Sequence, residues 1–258
     1  MADHDRALTT TDPGALSLPM PDRVVLPDAM PGIEELFHFA REAELRVRSL
    51  RLVIEERLIN ARGEARRRHE LLLQHPRRAR VTTRHSDADL SRDYDIWLLE
   101  GDTVTTYSPA RNVASRRPAS GYVVGIDRTD LPGFARRSEV LTPLPQGSLV
   151  DTFVHPHGLF RNVLVTGPLA VTGTRLVAGR EAVTLRVDHP RTSKVLVDRP
   201  DRSVEVGIDR SSGFLLLLEE RVADTVTRQA EARELVIDPV VPPTAFELHL
   251  PAEVRMLY

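Results

Sequence analysis

The chain contains no cysteine. That excludes a disulfide framework, a thiolate nucleophile and any zinc or iron–sulfur centre built on sulfur ligands. An excess of charge is missing as well: Lys+Arg is 35 against Asp+Glu 37, for a net charge of −2. There is thus no surplus positive field with which to hold bulk nucleic acid. Long apolar runs are absent, so no transmembrane segment is expected. The N-terminus lacks the cationic start and apolar centre of a secretory signal. The expected location is therefore the cytoplasm, or outside it if an export signal has been trimmed away. Aromatic residues are scarce at 5%, and Trp97 is the single tryptophan. Lysine is almost absent too, Lys194 being the one example. Codon bias in a GC-rich genome is the plain reading of that skew, and arginine's forked donors by themselves mark no phosphate site.

What is present suffices for a sizeable core. A chain of 258 residues removes roughly three quarters of its unfolded surface from water, and sheet-rich folds of this size often form one domain. Residues 1–30 mix Asp, Thr and Pro without apolar periodicity and read as a tail, leaving 31–258 as a single domain. The first ordered element is predicted as a helix from about Pro31 to Ser49. There Ile33, Leu36, Phe37, Ala40, Ala43, Val47 and Leu50 recur at three/four spacing.

From Leu50 the period changes to two. Short strands are predicted at Arg68–His75, Arg77–Arg84, Tyr94–Leu99, Thr103–Tyr107 and Val113–Arg117. They are joined by tight turns such as Ala61-Arg62-Gly63-Glu64 and Glu100-Gly101-Asp102. A stretch from Ala119 to Gly167 is broken by Gly121, Pro132, Gly133 and Pro143. It accommodates two short helices, Ser148–Phe153 and one starting at Pro156. Strands resume at Leu169–Leu176, Glu181–Asp188, Ser203–Asp209, Phe214–Val222 and Val226–Ile237. The run Phe214-Leu215-Leu216-Leu217-Leu218 is apolar on both faces, so that strand belongs in the covered centre of a sheet. Gly213, ending the Arg210-Ser211-Ser212-Gly213 turn, sits where a positive φ is expected. The fold class is α+β: a large curved antiparallel sheet closed by a few helices. A curved sheet with so little cover tends to leave an apolar hollow, and such hollows are default ligand sites.

Three stretches carry a resemblance. The hairpin from Ile96 to Pro109, with Trp97, Gly101, Tyr107 and Pro109, resembles that of the LolA/RseB-like lipoprotein-carrier superfamily. The segment Val177-Ala178-Gly179-Arg180-Glu181-Ala182 through Val187 is similar to a strand of the same group. So is the end of the chain, from Asp209-Arg210-Ser211-Ser212-Gly213 to Pro242-Pro243-Thr244-Ala245-Phe246. Gln74-His75-Pro76-Arg77 fits the same pattern, and the arginine-for-lysine composition is of the actinobacterial kind. The resemblance implies a half-barrel of about eleven antiparallel strands closed by helices over a hydrophobic cavity. It also implies a binding function: family members hold acyl chains there, or sense envelope components and regulate a sigma-factor pathway.

On that footing Trp97, Tyr107, Phe153, Phe160 and Phe214 are the candidate ligand-binding residues. The expected partner is a hydrophobic small molecule or acyl chain, held between the sheet and the helices at Ile33–Leu50 and Ser148–Leu164. A cytoplasmic cyclase or isomerase acting on an apolar polyketide or isoprenoid substrate is the alternative. It would use Asp95 and Tyr107, with burial beside Trp97 raising the Asp95 pKa. There is no Gly-x-Ser-x-Gly elbow and no His-Glu-x-x-His helix. His155-Pro156-His157, with Asp151 one turn before, could offer imidazoles to a metal. Such a site needs three or four converging ligands, and no third histidine is near, so neither metal nor cofactor is expected. The basic stretch of Arg62, Arg66, Arg67, Arg68, Arg77, Arg78, Arg80 and Arg84 is a solvated sheet face, or else a docking surface. In the second case an acidic protein partner would meet the Arg78/Arg80 face. Scarcity of aromatics beside these arginines argues against single-stranded nucleic acid.

Overall fold

A computed structural model describes residue 26 and residues 28–60, 63–85, 92–119, 123–125, 137–190 and 201–257. The expected tail therefore lies outside the described residues up to residue 25, as do Ala61, Arg62, Gly121, Pro132 and Gly133. Leu26 is buried in the core, and Arg210 Nη2 donates to the carbonyl of Ala29 at 3.1 Å.

The main sheet has twelve strands in the order β14-β6-β5-β4-β3-β2-β1-β13-β12-β11-β10-β9. In chain order these are β1 (Ser49–Asn60), β2 (Gly63–Gln74), β3 (Arg78–Arg84), β4 (Tyr94–Glu100), β5 (Thr103–Ser108) and β6 (Val113–Pro118). The second group is β9 (Leu169–Val177), β10 (Arg180–Asp188), β11 (Arg202–Asp209), β12 (Leu215–Val222) and β13 (Thr225–Ile237), with β14 (Arg255–Leu257) at the end. All neighbours are antiparallel except β14, which lies parallel to β6. β7 (Val123–Gly125) and β8 (Arg137–Glu139) make a separate two-stranded sheet. The sheet is curved and does not close, so the expected half-barrel of antiparallel strands is what the chain forms.

Each half of the sheet is a meander of sequence neighbours. The two are sewn together where β1 meets β13, with Leu50 opposite Ile237 and Leu52 opposite Leu235. β12 sits well inside the sheet, and Phe214 through Leu218 are buried throughout, as their unbroken apolar run requires.

Three α-helices among the described residues cover one face: α1 (Ile33–Arg41), α2 (Leu149–Val154) and α3 (His157–Asn162). Glu34 and Glu35 lie in the first turn of α1 and Arg41 in the last, as the helix dipole favours. The helix predicted to reach Ser49 stops at Arg41. A 3-10 turn at Ala43–Arg46 follows, and β1 opens at Ser49. The reason is local. Arg46 folds back to donate to the carbonyl of Phe39 at 2.6 Å, and its guanidinium lies 4.3 Å from the Phe39 ring centre. Phe39, Phe153, Phe160 and Phe214 are buried between helices and sheet, and Phe37 stacks on Phe160 at 4.4 Å.

The opposite face is crossed by the C-terminal segment. A 3-10 turn at Pro243–Phe246 buries Phe246 against it. Leu248, Leu250 and Val254 pack onto Ile96, Tyr107 and Ala114 before β14 joins the edge. Arg78 and Arg80 lie under this strap. Arg80 donates to the carbonyls of Ala245 and Glu247, both at 3.3 Å. Arg78 pairs with Glu100 at 3.1 Å and stands 5.0 Å from the Phe246 ring centre. The even spacing of Arg78, Arg80 and Arg84 does put them on the face opposite Ala79 and Val81. Arg78 and Arg80 are engaged by the strap and its neighbours, and Arg84 stands 3.8 Å from Glu70 and 5.9 Å from the Tyr94 ring centre.

Candidate functional site

On the helix-bearing face the paired strands set side chains in rows, about 7 Å apart because every second residue of a strand shares a face. The row beneath the helices is Leu50, Leu73, Ala79, Leu99 and Val104, wholly apolar and buried. The next is Leu52, Leu71, Val81, Trp97, Thr106 and Ser115. Then come Ile54, His69, Thr83 and Asp95, and beyond them Glu56 beside Arg67. Polarity thus rises stepwise along the strands, from aliphatic under the helices to ionic at the far end.

A cavity of about 530 Å³ opens over the second to fourth rows, walled by Val81, Trp97, Leu149 and Val150 and floored by His69 and Thr83. Phe153, Phe160 and Phe214 do not line it; they are core residues between helices and sheet. Among the five candidate aromatics, Trp97 and Tyr107 border the cavity. Trp97 faces it from the second row, whereas Tyr107 is opposite Ile96 and packs into the cluster under the strap.

The ionic end is tightly bonded. Glu56 accepts from Arg228 Nε at 2.8 Å and Nη2 at 2.7 Å, and from His69 Nε2 at 3.3 Å, with Arg67 Nη1 farther off at 3.7 Å. The other ring nitrogen of His69, Nδ1, lies 3.1 Å from the Thr83 hydroxyl oxygen. Burial would raise the Glu56 pKa, but the His69 hydrogen bond and the Arg228 charge and hydrogen bond outweigh it and hold the carboxyl at about 2. It stays ionised throughout the physiological range.

Asp95 departs from expectation in the same way. Burial would raise its pKa, yet hydrogen bonds from Ser108 and His85 and the charges of His85 and Arg111 prevail, and the carboxyl lies below the ordinary value. His85 Nε2 is 2.8 Å from Asp95 Oδ2 and Arg111 Nη2 is 3.7 Å from Oδ1. Asp95 is therefore a paired anion at the cavity margin rather than a raised-pKa acid. Its strand neighbour across the sheet is not Tyr107, which turns to the other face.

The His155 motif does not aim at the cavity. His155 bridges Asp151 and Glu44 inside the helical cap, and no cluster of three or more potential metal ligands able to hold an ion is found among the described residues. Glu56, His69, Arg67 and Arg228 were not singled out as a site from sequence. The signal was there in two strands: the alternations Leu50-Leu52-Ile54-Glu56 and Leu73-Leu71-His69-Arg67 both turn from apolar to ionic at the same end. Arg228 arrives from β13, and no local pattern announces it.

No protein-family model matches the chain, and no curated protein matches it. Among solved structures it is similar to an uncharacterized conserved protein from Thermus thermophilus, at 10% identity over 86% of this chain and 96% of that one, with a TM-score of 0.47. MucB, crystallised in complex with MucA(peri), matches at 14% identity over 88% of this chain and 62% of that one, with a TM-score of 0.45. This chain thus spans less than two thirds of that MucB chain. A LolA superfamily protein from Nitrosomonas europaea matches at 10% identity over 85% of this chain and 99% of that one, with a TM-score of 0.32. The superfamily that the hairpin motifs resemble is thus represented among the matching structures.

Proposed function

We propose that this protein is a non-catalytic binder of a hydrophobic or acyl-bearing small molecule, held in the cavity between α2 and strands β2 to β5. The observation that carries the reading is the cavity's position on the polarity gradient. Val81, Trp97, Leu149 and Val150 give it an apolar wall, while polar side chains that could fix a head group line its floor. Its volume, about 530 Å³, falls in the range of ligand pockets, roughly 300–1,000 Å³. Paired Asp95 and outward-turned Tyr107 supply no acid–base couple facing one space, which favours a binder over a cyclase.

Trp97, as the single tryptophan, makes the cavity its own reporter. Solvent extraction of gently denatured protein followed by mass spectrometry should yield an apolar species in about equimolar amount. Thr83→Phe, which fills the floor with a residue suited to a strand, should abolish that species without lowering the melting temperature by more than a few degrees. An empty extract, together with unchanged Trp97 emission on adding a long-chain alcohol or acid, would defeat the proposal.

A further inference from the structure

The charges around the cavity do not balance, and the imbalance specifies the ligand's head group. Among the described residues lining it, Glu56 and Asp95 face three guanidiniums, those of Arg67, Arg111 and Arg228. Each carboxylate already has a closer partner than the rim arginine beside it. Glu56 takes Arg228 at 2.7 Å and 2.8 Å, leaving Arg67 at 3.7 Å. Asp95 takes His85 at 2.8 Å, leaving Arg111 at 3.7 Å. Arg228 is fully committed, since its Nη1 also reaches Glu220 at 3.4 Å. Arg67 and Arg111 are thus held at the rim by carboxylates that have closer partners, Arg111 also donating from Nε to the Ser108 hydroxyl at 3.1 Å, and their forked donors exceed what these groups accept. Both side chains are substantially exposed, at 43% and 72%.

We infer that the ligand is an amphiphile bearing an oxyanion, a carboxylate or a phosphate, whose head meets Arg67 and Arg111 at the rim while its chain runs along Trp97 and Val81 toward α2. This rests on the binding reading above and adds the sign of the head. A cationic head would meet an excess of guanidinium over carboxylate at the rim. A neutral head would leave both solvated and gain nothing from them. The apolar-to-ionic order of the rows sets the orientation, chain toward the helices and head away from them.

The test compares probes of one chain length by Trp97 fluorescence, below their micelle concentrations: dodecanoate, dodecyl phosphate, 1-dodecanol and dodecyltrimethylammonium, with inorganic phosphate as the bare head. Both anionic amphiphiles should bind about tenfold tighter than the alcohol. That preference should shrink as salt is raised. The double variant Arg67→Gln/Arg111→Gln should bring the anions to the alcohol's affinity and leave the alcohol unchanged. Equal binding of all heads, or preference for the ammonium, overturns the inference while the binder reading stands. Inorganic phosphate competing as well as dodecyl phosphate also overturns it, by showing a bare anion site. If no amphiphile binds, both readings fall.

Discussion

His155 stands between two carboxylates, with Asp151 Oδ1 2.9 Å from Nδ1 and Glu44 Oε2 3.1 Å from Nε2. Burial alone would lower its pKa, but the hydrogen bonds to Asp151 and Glu44 and their charges raise it from 6.5 to about 9. The folded state therefore holds the proton more tightly than the unfolded chain. Its contribution is full below about 6.5 and is lost as the pH rises through about 9. The urea midpoint should accordingly fall as the pH climbs across that window, and His155→Ala should flatten the fall. At neutral pH the same variant should cost about 3 kcal/mol, because it leaves two carboxylates inside the cap without their cation. An unchanged midpoint would show that the triad adds nothing. Half of this arrangement is legible in the sequence, since Asp151 lies one helical turn before His155. Glu44 is not legible, because only the folding of the 3-10 turn against α2 brings it there.

At the scale of elements, strands whose alternation is clear are read closely. The expected Ser203–Asp209 and Tyr94–Leu99 differ by a residue from β11 and β4. β2 is longer than its apolar half suggests. Its first residues are exposed and polar and are held by pairing with β1, aided by ion pairs such as Arg57–Glu64 at 3.9 Å and Arg68–Glu55 at 3.8 Å. β7, β8 and β14 are three residues each and carry no periodicity to read. The Arg210–Gly213 turn shows both what local reading gives and what it misses. The positive φ expected at Gly213 is found, at +87°. What it cannot reveal is that α1 lies against the turn: a Cβ there would sit 2.9 Å from the Phe39 carbonyl oxygen and 3.2 Å from the Ala40 Cα. Gly213→Ala should therefore cost about 2 kcal/mol, from backbone strain plus a displaced helix. Gly101→Ala, also at positive φ but with open space around it, should cost only about 1 kcal/mol. Equal losses in denaturant titrations would mean that α1 yields freely.

For the whole molecule, the two faces of the sheet differ in how far the sequence exposes them. The helix-bearing face follows from alternation within neighbouring strands. The covering of the other face depends on the C-terminal strap, which returns to Arg78 and Arg80 from far along the chain, and no local pattern reports such a return. The same separation governs the join between the meanders. Within each, strands meet their chain neighbours, so their contacts form locally at small loop-closure cost. The join of β1 to β13 brings Leu58 to Arg228 and Leu50 to Ile237, spanning most of the chain. Pairing over such distances is slow, so each meander should organise early and the seam should zip last. A chevron plot would read this directly. Ile54→Val, buried on the seam opposite Ala232, should chiefly quicken unfolding. Val206→Ala, inside the second meander, should chiefly slow refolding. The reverse pattern would mean that the seam is the nucleus. If it does close last, newly made protein passes through a stage in which two half-sheets each carry a bare long strand, and its yield in the cell depends on how briefly that stage lasts.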